Sequence, residues 1–169
     1  MKATEDIFRA YDIRGVYGEE LDAEIGERVG LAFGNYLGKH HESGKISIGC
    51  DARVSSPELQ LAVSKGVSRA GFDVDIVGMV PIPVANYFTW KSNLNSEEYV
   101  AGVYITASHN PAEYNGLKIM IAGETLSAER IQDLYSRILE SDFSNGHGTS
   151  TSINIDQDYI CLLYTSDAA

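Results

Sequence analysis

YVAGVYITA, residues 99–107, is a nearly continuous apolar run, and SHNPAEYNG, residues 108–116, is the polar loop it runs into. A short run without polar alternation is the pattern of a strand covered on both faces, as in a sheet packed between helices. The loop is rich in Ser, Asn, Pro and Gly, so the chain turns there. LKIMI at 117–121 is apolar again and predicts a brief returning strand.

Outward from this pair, strands and helices alternate. Residues 22–38 place Ile25, Val29, Phe33 and Tyr36 or Leu37 at helical spacing. Gly26, Gly30, Gly34 and Gly38 recur every fourth position and share one face, which suits a second backbone packed closely against it. Residues 45–50 predict a strand, with Asp51-Ala52-Arg53 at its C-terminal end. Ser56-Pro57-Glu58 predicts a helix start with Ser56 as N-cap, and Gly71 its end. FDVDIV at 72–77 alternates apolar and acidic residues, the mark of a half-exposed strand. Pro81-Ile82-Pro83 opens a further helix reaching to about Trp90. A last helix begins at Ser127, with a core stripe of Ile131, Leu134, Tyr135, Ile138 and Leu139. The alternation predicts an α/β fold, a three-layer α/β/α sandwich around a mixed, mostly parallel sheet. Ligand sites in such sheets lie beyond the C-terminal strand ends, where both Asp51-Ala52-Arg53 and the loop after Ala107 fall.

These boundaries divide the chain into a domain at 1–141, a flexible linker at 142–155 built around NGHGTSTS, and 156–169 as the start of a further element or a non-native tail. The net charge of −11, from 24 acidic and 13 basic residues, disfavours nucleic acid and anionic membranes. No apolar run reaches membrane-spanning length and no signal peptide opens the sequence. Two cysteines, Cys50 and Cys161, are too few for a disulfide framework, so a reduced, cytoplasmic setting is expected. Cys50 closes an apolar run and reads as a small buried residue.

The segment from Thr106 to Lys118 carries the most chemistry. A hydroxyl, Ser108, is presented where a buried strand ends, His109 follows it, and Lys118 lies at the start of the returning strand. Loop amides and a lysine there are able to hold a phosphoryl group, whose transfer asks mainly for positioning. Ordinary turn chemistry explains the same residues, and both readings stand at this level. A hydrolase elbow is absent, as are the glycine-rich nucleotide-binding loops.

TASHNPAEYNGLKI at 106–119 closely resembles the phosphoserine loop of the α-D-phosphohexomutases. FRAYDIRG at 8–15 resembles the opening of their phosphomannomutase/phosphoglucomutase branch. GCDARVSSPEL at 49–59, VGMVPIP at 77–83 and AGETL at 122–126 fit the same pattern, so the resemblance covers about residues 7–139. The chain has neither the Gly-Thr-Asp-Gly-type opening of phosphoglucosamine mutases nor the lengthened segment after SHNP of eukaryotic phosphoglucomutases. It is similar to the bifunctional mannose/glucose type.

The resemblance implies that Ser108 is phosphorylated and exchanges its phosphoryl group with a hexose phosphate through a bisphosphorylated sugar. Magnesium (Mg2+) would be held partly by the phosphoserine on Ser108, with acidic ligands that this chain lacks. Lys118 would handle the hydroxyl proton or stabilise charge beside it, or else be a strand lysine with a solvated head. His109 would contact the phosphoserine, or else be a plain loop histidine. Arg14 and Tyr11 would face the substrate, while Asp51 and Arg53 would support the loop. His40, His41 and His147 are expected to be exposed. The family has four domains, so the expected partners are domains II–IV, and this chain alone is expected not to complete the cycle. The competing reading is a stand-alone domain that binds phosphosugars or a partner without catalysis.

Overall fold

The computed structural model describes residues 3–39, 44–95, 99–141, 143 and 145–166. After a 3-10 turn at Glu5–Ile7 the chain forms β1 (Ile13–Val16), α1 (Ala23–Leu37), β2 (Lys45–Cys50), α2 (Ser56–Arg69), β3 (Asp73–Met79) and α3 (Ile82–Asn95). It continues through β4 (Tyr99–Ile105), β5 (Tyr114–Ile121), β6 (Glu124–Thr125), α4 (Ala128–Glu140), β7 (Ser150–Ser152) and α5 (Asp156–Ser166).

The strands make one sheet in the order β1-β5-β4-β2-β3-β7, with β6 pairing to β5. β2 runs parallel to β3 and β4, and β7 parallel to β3. β5 is antiparallel to β1, β4 and β6. Among the described strands, β5 is therefore the one that runs against the rest. Alternation explains the layers. Ile46, Ile48, Ala101, Val103, Ile105 and Leu117 share one core with Ile25, Val29 and Phe33 of α1, Leu59, Val63 and Val67 of α2, and Ile131, Leu134 and Ile138 of α4. A second cluster joins Val77 and Tyr99 to Val84 and Tyr87 of α3 and Tyr159 of α5. The expected three-layer α/β/α sandwich is the fold observed.

The glycine stripe of α1 does what its spacing implies. A Cβ at Gly26 or Gly34 would meet Leu59 or Ala70, and one at Gly30 would strike the Val63 backbone. Gly38 instead caps the helix. The partner glycine is on α2, where a Cβ at Gly66 would collide with the Glu27 carbonyl oxygen and approach the Leu31 nitrogen to 2.6 Å. Because those atoms are backbone, they have no rotamer to yield. Gly66→Ala is expected to destabilise by about 1–3 kcal/mol although alanine favours helix by about 1 kcal/mol. A lowered denaturant midpoint with an unchanged m-value is the readout.

Four expectations change. The N-cap of α2 is Ser55, not Ser56, and Ser56 spends its hydroxyl on Asp51 at 2.6 Å. β3 keeps its exposed acidic side only in part: Asp73 is exposed, whereas Asp75 is buried, accepting from the Tyr99 hydroxyl at 2.5 Å with Lys45 Nζ at 3.4 Å. Leu139 is exposed, because the buried stripe of α4 narrows to Ile131, Leu134 and Ile138. The stretch read as a flexible linker, 142–155, supplies β7 as a sheet edge. Gly146 and Gly148 donate to Arg69 O and Ser68 O, and the Asp73 carboxylate accepts from the Thr149 amide and hydroxyl at 2.8 Å each. Within 156–169 the chain forms α5, Asp156–Ser166. Cys50 is buried, as expected, and burial first, then the neighbouring Asp51 charge, pushes its thiol up to about 11. His40 and His41 lie outside the described residues; His147 is exposed.

Candidate active site

The loop between β4 and β5 crosses the C-terminal edge of the sheet, where β2 hands over to α2. Ser108 sits in that loop with φ +54°, in the left-handed region, and is exposed. A non-glycine residue held there needs surroundings that dictate its backbone. Thr106, buried at the end of β4, donates its hydroxyl to Asp51 Oδ2 at 2.7 Å and accepts the Ser108 amide at 2.9 Å. Asn110 folds back on the Ala107 carbonyl through its side chain (2.7 Å) and its amide (3.1 Å).

Arg53 fixes the rest. Nη2 donates to Ser108 O (2.9 Å) and Asn110 O (2.8 Å), Nη1 to Pro111 O (2.6 Å) and Tyr114 O (3.0 Å), and Nε to Asp51 Oδ2 (3.1 Å). A guanidinium has five N–H donors, and every one is used. Arg53 is thus a clamp on the loop backbone with nothing left for a ligand. The open cavity of about 480 Å³ beside it, lined by Ala52, Val54, Asn110 and Ala112, offers no free guanidinium. Asp51 is equally committed, accepting from Ser56, Thr106, and the Arg53 amide and Nε. Its burial raises its pKa, but the hydrogen bonds from Ser56, Thr106 and the Arg53 amide, with the Arg53 charge, outweigh that and hold it below its ordinary 3.8.

A depressed carboxylate stabilises the fold above its unfolded pKa and loses that contribution as pH falls through its folded value. The clamp's contribution to stability should be complete at pH 5 and above, fade from about pH 4 downward, and be gone once pH has fallen through the depressed Asp51 value. Asp51→Asn should lower the thermal midpoint at neutral pH and flatten its decline in acid. An unchanged acid profile would contradict this.

On the other side of the loop lies a second charged group. Arg14 on β1 pairs with Asp12, and Lys118 Nζ on β5 lies 3.6 Å from the same Asp12 Oδ2. Arg14 Nε is buried without a hydrogen-bond partner, and its Nη1 is uncommitted among the described residues. Arg14 and Lys118 are therefore brought together, whereas Tyr11 and His109 are exposed at the rim. Asp12, Thr106 and Asn115 had not been singled out. Asn115, fully buried, donates to Ser55 Oγ (2.8 Å) and Ser56 Oγ (3.0 Å), tying β5 to the start of α2. Among the described residues no three His, Cys, Asp or Glu side chains converge as a metal site. The described residues therefore offer no acidic cluster for magnesium, and no step below runs through a metal.

A three-layer α/β/α domain with an exposed serine on a clamped loop at the strand ends is the class of protein defined so far. Residues 5–145 match the family described as phosphoglucomutase/phosphomannomutase, alpha/beta/alpha domain I, and the chain belongs to that family. It is 44% identical over 149 residues to a phosphomannomutase/phosphoglucomutase of Pseudomonas aeruginosa, covering 88% of this chain and 31% of that protein. It is 39% identical over 159 residues to a phosphoglucomutase of Neisseria meningitidis serogroup B, covering 92% and 33%. Among solved structures, a phosphoglucomutase/phosphomannomutase family protein from Burkholderia thailandensis superposes with a TM-score of 0.86 at 37% identity, covering 94% of this chain and 35% of that one. The chain thus spans about a third of the length of these relatives. Among the described residues no helix is long and apolar enough to cross a membrane.

Proposed function

We propose that this chain is the phosphoserine-bearing domain of a phosphohexomutase of the mannose/glucose type, with Ser108 as the phosphoryl carrier. The supporting observation is the contrast within the loop: its backbone is held by a saturated Arg53, while Ser108 itself is exposed. In the transfer, an oxygen of a hexose phosphate hydroxyl attacks the phosphorus on Ser108. The new P–O(sugar) bond forms as the P–Oγ bond breaks, the sugar hydroxyl loses its proton, and Ser108 Oγ gains one. Lys118 handles the proton or the charge beside it, Arg14 offers open donors to the phosphoryl or hydroxyl oxygen, His109 contacts the phosphoserine, and Tyr11 meets the sugar. The bisphosphorylated sugar then reorients and returns its other phosphoryl group to Ser108. Magnesium belongs to this reading only through one phosphoserine oxygen, its acidic ligands coming from outside these residues. Beyond the Tyr11 contact, sugar recognition falls to the third domain and a further phosphate-binding loop to the fourth.

The test is a chimera in which residues 5–145 replace the matching part of the Pseudomonas aeruginosa relative. It should interconvert hexose 1- and 6-phosphates, whereas the 169-residue chain alone should not. A folded but inactive chimera, together with hexose phosphate binding to the isolated chain, would favour the non-catalytic binding domain instead. Enzyme-like turnover by the isolated chain would refute the expected dependence on further domains.

A further inference from the structure

Asp12 is a buried carboxylate for which the proposed reaction, as written, has no use. It lies one residue before β1, in a turn closed by the Arg9 amide on Asp12 O and by the Phe8–Ile13 bridge. Gln132 of α4 donates to Phe8 O at 2.9 Å, so the turn is pinned to a helix. The register pairs Ile13 with Leu117, which sets Asp12 opposite Lys118, and strand alternation sets Arg14 on the same face as Asp12. α3 packs against β2 and β4. Side-chain exposures of 9% for Asp12, 15% for Arg14 and 28% for Lys118 describe a carboxylate sunk beneath two cations that reach towards solvent.

We propose that Asp12 is the positioning residue of the site: one carboxylate oxygen holds both Lys118 and Arg14, setting where the two cations meet a phosphoryl oxygen. This inference rests on the proposed phosphohexomutase reading. Without the carboxylate, two positive side chains on neighbouring strands would face each other with no shared counter-charge. Each would lose the contact that fixes its head group. With it, the pair keeps one net positive charge. Arg14 keeps open donors as well, in contrast to the saturated Arg53.

Two measurements on Asp12→Asn test the assignment. In the 169-residue chain, acetic anhydride labelling read lysine by lysine by mass spectrometry should show Lys118 reacting about threefold faster or more, as expected on losing one partly exposed ion pair. Lys65 of α2, paired instead to Glu27 of α1, is the internal control. Unchanged labelling of Lys118 overturns the proposal whether or not the chimera is active. In the chimera, kcat should fall about 10- to 100-fold with KM changed far less, the signature of misplaced groups. Asp12→Glu should restore part of the loss. In a Lys118→Met background, Asp12→Asn should cost less than it does alone, since only its hold on Arg14 is left to lose. Full additivity, or wild-type kcat, would overturn the proposal. An inactive wild-type chimera with the labelling response intact would instead count against the mutase reading alone.

Discussion

Ser108→Ala in the chimera is expected to lower mutase turnover by at least about 10³-fold, the scale seen when a group central to the chemistry is removed. The prediction is large because carriage is covalent and no neighbour is able to take it over. The Thr106 hydroxyl is buried and used on both sides, by Asp51 as acceptor and by the Ser108 amide as donor. The Ser56 hydroxyl is spent on Asp51. Alanine meets the same left-handed backbone limit as serine at φ +54°, so the substitution removes chemistry while leaving the fold within about 0.5 kcal/mol. Intact-mass measurement gives an independent check. A phosphate adduct on the wild-type chain should map to Ser108 and vanish in Ser108→Ala. An adduct on any other residue, or turnover retained by the variant, would remove Ser108 from its proposed role.

How much of this was legible in the sequence depended on whether the cause was local. The helices of α1 and α4 follow from spacing, and so does the close approach along the glycines of α1, since both are properties of one segment. The reversal at β5 follows from the short loop that returns the chain beside β4. Strand order does not. FDVDIV reads as a half-exposed strand, and Asp73 is exposed, but Asp75 is a buried carboxylate whose partners Tyr99 and Lys45 are brought to it by tertiary packing. β7 was illegible because STS carries no apolar signal; its pairing comes from the Asp73 cap on Thr149 and the turn around Gly146 and Gly148. Ser108, Lys118 and Arg14 stood out as residue types in motifs. Asp12 stood in the same motif unnoticed, since its value comes from the β1–β5 register, which no local pattern contains.

Arg53→Lys is expected to reduce kcat of the chimera about 100-fold although the Ser108 hydroxyl itself is retained. The charge is kept, so a purely electrostatic role would survive the change. What is lost is reach. Arg53 joins Ser108 O, Asn110 O, Pro111 O and Tyr114 O through two terminal nitrogens and steadies itself on Asp51 through Nε. A lysine ammonium has three donors on a single atom and is unable to span those carbonyls. The released carbonyls are near the surface and gain water, so the stability loss should stay near about 1–2 kcal/mol. The catalytic loss is larger because Ser108 is kept at φ +54° only while its surroundings over-determine it. Once the clamp opens, Ser108 relaxes toward common backbone conformations and its hydroxyl leaves the line of transfer, where an error of about 1 Å costs about 10²-fold. Kinetics should therefore show a fall in kcat with little change in KM, and amide exchange in the isolated chain should speed up at Ser108 and Asn110 but not along β2. Wild-type kcat with unchanged exchange would mean that Thr106 and Asn110 suffice to hold the loop, and that the five bonds of Arg53 serve stability alone.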